Sequence, residues 1–105
     1  MLKSGANVNL TTVGLLSSPL EVAAGKGHTE IVEKLISAGA VINYQNKDGV
    51  TPLLIASQEG HLEVVRLLLM TGAKDLPYKD GRTAMSVARA KGHQQIVQLL
   101  QQYKV

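Results

Sequence analysis

The same landmarks return along this 105-residue chain at one spacing. Pro19 and Pro52 stand 33 residues apart, and Gly27-His28, Gly60-His61 and Gly92-His93 are separated by 33 and 32. Gly5-Ala6, Gly39-Ala40 and Gly72-Ala73 follow at 34 and 33. Such a period predicts a one-dimensional stack of helical units, because a unit of that size cannot bury its apolar face alone and needs its neighbours to do so. Helical periodicity within the units agrees. Ile31, Val32, Leu35 and Ile36 form one apolar stripe, and Val64, Val65, Leu68 and Leu69 repeat it position for position.

In the most regular unit, Thr51-Pro52-Leu53, Ala56, Gly60-His61, Val64-Val65, Leu68-Leu69 and Gly72-Ala73 together resemble the ankyrin repeat family, and the similarity extends over the whole chain. The resemblance implies an all-α solenoid in which each unit has a short inner helix, a tight turn, a longer outer helix and a protruding hairpin loop. It also implies a non-catalytic module that binds another protein through its concave face and loop tips. Asn9 and Asn43 match the asparagine that in this family can be a substrate of an asparaginyl hydroxylase, whereas Leu76 does not. The histidine that often follows Thr-Pro-Leu in the family is replaced by Glu21, Leu54 and Ser86, so its hydrogen bond to the threonine is not carried over.

The units are read as residues 1–9, the tail of a repeat cut from a longer array; 10–43 and 44–76, two ankyrin repeats; and 77–105, a C-terminal capping repeat. Ser18 is expected to cap a helix opened by Pro19, as Thr51 caps one opened by Pro52. The loop Leu10–Ser18 lacks the Asp-x-x-Gly pattern of the next unit. In the last unit Ala84 replaces the proline, Arg89 stands where Ala24 and Ser57 do, and Gln101 where Ile36 and Leu69 do. With Gln94, Gln95, Gln98 and Gln102 these make a face suited to water. At the other end Leu20, Ala23, Ile31 and Leu35 are expected to lack a neighbour, which would favour a head-to-head dimer.

Composition narrows the chemistry. Hydrophobic residues reach 45% with aromatics at 3%, which suits thin aliphatic layers and argues against disorder. With no cysteine, disulfides, thiolate zinc sites and a cysteine nucleophile are excluded. The apolar run Leu67-Leu68-Leu69-Met70 is far too short to cross a bilayer, and no apolar segment of a signal peptide follows Lys3. A cytoplasmic protein is the default expectation. The net charge of +3 is unevenly spread: residues 77–105 carry +4, from Lys79, Arg82, Arg89, Lys91 and Lys104 against Asp80. Residues 10–43 carry −1, from Lys26 and Lys34 against Glu21, Glu30 and Glu33.

No catalytic set, cofactor site or metal site stands out from the repeat. His28, His61 and His93 recur in successive units, roughly 10 Å apart by helix packing and thus too far to share one metal ion. They read as turn and helix-start residues. Gly25-Lys26-Gly27 lacks the further glycine, the hydroxyl residue and the strand of a phosphate loop. Binding is instead expected where the units differ without harming the stack: Lys26, Tyr44, Lys47, Asp48, Val50, Gln58, Glu59, Tyr78, Lys79, Arg82 and Lys91. The expected partner is another protein. Alternatives are an anion or nucleic acid on the basic last unit, less favoured, and a regulatory appendage of a longer enzyme or channel.

Overall fold

A computed structural model of the protein describes residues 13–45, 49–77 and 81–103. Among these the regular elements are six helices: α1 (Val13–Lys26), α2 (Thr29–Ser37), α3 (Pro52–Glu59), α4 (Leu62–Met70), α5 (Ala84–Lys91) and α6 (Gln94–Tyr103). Consecutive helices pair as α1 with α2, α3 with α4 and α5 with α6. Across the pairs, α1, α3 and α5 pack side by side in one layer and α2, α4 and α6 in a second.

Local chemistry sets the ends of the inner helices. The Thr51 hydroxyl accepts from the Leu54 amide at 3.1 Å, and Pro52 takes the first helical position, where no amide donor is needed. Gly60 closes α3 with φ 81°, a left-handed conformation that a side chain would strain. Helix α5 starts without proline and compensates: Thr83 and Ser86 form a reciprocal capping box, the Ser86 hydroxyl taking the Thr83 amide at 2.9 Å. Asp75 adds a carboxylate at the same helix end, accepting from the Ala84 and Met85 amides at 2.6 and 3.1 Å. Ser86 thus serves a capping role at the position where the resemblance implied a histidine.

The first unit departs from expectation. Helix α1 begins at Val13 and carries Pro19 inside it, so Ser18 and Pro19 do not open the helix. Proline removes one hydrogen bond and crowds the preceding turn, but the residues before it carry no turn signal of the kind found at Asp48-Gly49, and the chain stays helical across them.

The core lies between the layers. Leu53, Ala56, Val64, Val65, Leu68, Ile96 and Leu100 are at most 2% exposed. Helix α4 is flanked by α2 and α6, and its whole stripe is covered. Helix α2 has α4 on one side, and its expected stripe is only partly covered: Val32 is buried, Leu35 and Ile36 are half-buried, and Ile31 is 48% exposed. Leu20 and Ala23, expected to lack a neighbour, are buried at 0% and 4%. Of the four residues expected to lack a neighbour, only Ile31 and the edge of Leu35 are therefore uncovered. Small residues hold the inner layer close, Ala24, Ala56, Ser57 and Ala88 being fully buried.

Ser57 is the anomaly in that layer. Its hydroxyl is buried and has no hydrogen-bond partner, and Ala24 occupies the equivalent place one unit earlier. An unsatisfied buried hydroxyl costs about 1–3 kcal/mol, and alanine is the better helix former. Ser57→Ala is expected to raise the unfolding free energy by about 1 kcal/mol in a denaturant titration; a loss of stability would show that the hydroxyl has a partner.

Candidate protein-binding face

The inner helices present a second face, turned away from the outer layer. In α1, Leu20, Ala23 and Ala24 point into the core while Val22 is 52% exposed. One unit on, the position of Val22 is held by Ile55, half-buried, and then by Val87, buried at 6%. A row of β-branched side chains thus crosses the three inner helices. Beside it run two further rows of equivalent positions, Gly25, Gln58 and Ala90, and Lys26, Glu59 and Lys91. The last row alternates in charge along the stack.

Two adjoining hollows lie on this face. The larger, about 450 Å³, is lined by Glu21, Val22, Gly25, Lys26, Val50, Ile55 and Glu59. The smaller, about 200 Å³, is lined by Val50, Leu54, Ile55, Gln58, Arg82 and Val87. Val50 and Ile55 belong to both, so the hollows form one groove with an aliphatic floor and a charged rim. Gly25 keeps it open, since a Cβ there would lie 3.2 Å from Ile55 Cγ1.

Five of the expected binding residues, Lys26, Val50, Gln58, Glu59 and Arg82, line this groove. Lys91 is exposed at the end of α5, continuing the charged row without lining either hollow. Tyr44 is half-buried in the loop after α2, its amide bonded to the Val41 carbonyl at 3.3 Å, and lies outside the groove. Lys47, Asp48, Tyr78 and Lys79, like Asn9, fall outside the described residues. The aliphatic floor of Val22, Ile55 and Val87 was not anticipated. Its signal was present in the recurrence of β-branched residues at 33 and 32, on the side of the helix opposite Leu20 and Ala23.

The hairpin loops are braced between units. The Asn43 side chain donates to the Gly72 carbonyl at 3.1 Å and accepts from the Lys74 amide at 2.7 Å. Gln45 donates to the Gly49 and Pro77 carbonyls at 3.1 and 3.0 Å.

The histidines also work between units. His61 and His93 precede α4 and α6, as expected of helix-start residues, and the His61 side chain does not cap its own helix. His61 Nε2 lies 2.8 Å from the Gly25 carbonyl and His93 Nε2 3.2 Å from the Gln58 carbonyl, so each ring, protonated at Nε2, donates to the inner helix of the unit before. Each ring lies against the previous turn glycine: a Cβ on Gly27 would come within 2.6 Å of His61, and one on Gly60 within 2.8 Å of His93. The turn is glycine for two reasons at once, its positive φ and the ring above it. Among the described residues no three histidine or acidic side chains converge as a metal site, and no helix is long and apolar enough to cross a membrane.

With the geometry established, comparison with known proteins places the chain. The family model for ankyrin repeats, in three copies, matches residues 1–78 and 20–105. The chain belongs to the ankyrin repeat family. No curated protein gives a match to it.

His61→Ala is expected to destabilise the protein by about 1 kcal/mol, the usual worth of one hydrogen bond, in thermal or denaturant unfolding. His28→Ala is expected to change stability little, since His28 is exposed and bonds no described residue through its ring. Equal losses would contradict the role given to the His61 hydrogen bond to the Gly25 carbonyl.

Proposed function

We propose that the protein is a non-catalytic binding module that holds a partner protein against the groove on its inner helices. Ankyrin repeats generally mediate protein–protein interaction, and proteins built from them are typically interaction modules without catalysis. The observation that carries the finer reading is the aliphatic floor of Val22, Val50 and Ile55, open to solvent between charged side chains. An apolar centre inside a polar rim is the anatomy of a specific protein interface. The same observation disfavours a polyanion partner, because the Lys26, Glu59 and Lys91 row alternates in sign and a nucleic-acid groove would be uniformly basic.

The test is affinity capture with three baits: the parent chain, the groove variant Val22→Asp/Glu59→Lys, and the outer-layer variant Glu63→Ala/Arg66→Ala. The outer pair forms an exposed contact at 3.6 Å on α4, worth little to the fold. A partner retained by the parent and the outer variant, and weakened at least tenfold by the groove variant in calorimetry, is the expected result. A partner that tolerates the groove variant, or whose binding collapses with salt as counterion release demands, would contradict it.

A further inference from the structure

The groove on the inner helices has a spacing that selects what can lie in it. Its larger hollow opens between α1 and α3, over Val22 and Ile55, and its smaller one between α3 and α5, over Ile55 and Val87. Packed helices stand about 10 Å apart, so the two hollows follow each other at about that distance on a line crossing the stack. Side chains on one face of a strand recur at about 7 and then 13 Å, and neither distance fits. Those on one face of an α-helix return after a heptad, at about 10.5 Å.

The polar groups around the floor point the same way. A strand laid there would bring its amides and carbonyls over aliphatic side chains, which is costly unless they find partners. Groups at hand are already engaged: the Gly25 carbonyl takes the His61 ring at 2.8 Å, the Gln58 carbonyl takes the His93 ring at 3.2 Å, and the Gln58 side chain donates to Glu59 at 3.3 Å. A polyproline segment docks in aromatic-lined grooves, and among the described residues no aromatic side chain lines either hollow. A helix bonds its own backbone and needs only the apolar floor.

Along one edge, Lys26, Glu59 and Lys91 hold the same place in α1, α3 and α5 and are all exposed, so their charges alternate at the spacing of the inner helices. We infer, resting on the reading of the groove as a protein-binding surface, that the partner segment is an amphipathic α-helix lying across the three inner helices. Aliphatic side chains one heptad apart fill its two hollows, and an acidic, a basic and an acidic residue at the same spacing face Lys26, Glu59 and Lys91. Sliding that helix by one heptad sets like charges against each other, so the row fixes its register. Each exposed ion pair adds little affinity, and the two anchors supply most of it.

The experiment is an NMR titration of the isotope-labelled chain with synthetic peptides up to about 2 mM, a range that reaches weak interfaces. The peptides are alanine-rich and about 20 residues long, enough to hold a helix. The matched peptide carries leucines one heptad apart, flanked by Glu, Lys and Glu at the same spacing. A second has Glu in place of the central Lys, and a third carries two central prolines that break the helix. Each is made in both sequence directions, because the charge row reads the same from either end. The matched peptide is expected to shift the resonances of Val22, Ile55 and Val87 and to bind about threefold more tightly than the second. The proline peptide is expected to bind at least tenfold more weakly. Glu59→Lys is expected to reverse the preference between the first two peptides. Glu59 is exposed at the end of α3, where a cation suits the helix dipole, so that variant keeps the fold. Absence of groove shifts with the matched peptide, equal binding of the proline peptide, or a preference that Glu59→Lys leaves unchanged would each overturn the inference. If the capture experiment still yields a groove-dependent partner, such an outcome removes the helix alone; if it yields none, the groove reading falls as well.

Discussion

No helix pair in this chain can cover its own apolar stripe, and the architecture follows from that constraint. Helix α4 has neighbours on both sides, and its four stripe residues are buried. Among the described residues helix α2 has one such neighbour, α4, and keeps Ile31 in solvent. Stability in such a stack is close to a sum of weak units and the junctions between them, and the junctions decide whether the units hold. Here a junction consists of small inner-helix residues packed closely, an aliphatic seam between outer helices, and an imidazole reaching back to a carbonyl of the unit before. The hydrogen bonds of Asn43 and Gln45 extend the same coupling into the hairpin loops.

The groove is a by-product of this packing that has become a surface. Each inner helix buries its small residues between layers and neighbours, which leaves one strip of every inner helix for other use. Val22, Ile55 and Val87 fill that strip with β-branched side chains, and Gly25 keeps the space above them open. Because the strip lies on a layer of packed helices, a partner held there, as proposed, would meet it already shaped. A preformed surface of this kind saves the ordering cost that a mobile loop would incur on binding.

Much of the fold was legible because its landmarks are local backbone requirements. Thr51 and Pro52 announce a helix start, and Gly60 a left-handed turn, whatever surrounds them. What could not be read depended on neighbours or on context. Pro19 looks like Pro52 in sequence, but without a turn signal before it the helix runs on from Val13. The histidines were recognisable as helix-start residues, whereas their reach to Gly25 and Gln58 depends on how one unit sits on the next. Val22 and Ile55 were passed over because an aliphatic residue in a helix is read as core by default, and only the placement of Leu20 and Ala23 shows which side faces in. Lys26, Gln58, Glu59 and Arg82, with Val50 alone of the floor, were singled out by asking where the units differ, which is why the polar rim was seen before most of the apolar floor.

The most direct test of the stacked-unit account is native-state hydrogen exchange resolved by residue. If junctions carry the stability, the core amides of α3 and α4, flanked on both sides, exchange most slowly and only through global unfolding. Amides of α1 and α2 on one side and of α5 and α6 on the other then exchange faster, through opening of an end unit. Uniform protection across all three units, or slowest exchange in an outer one, would contradict the account.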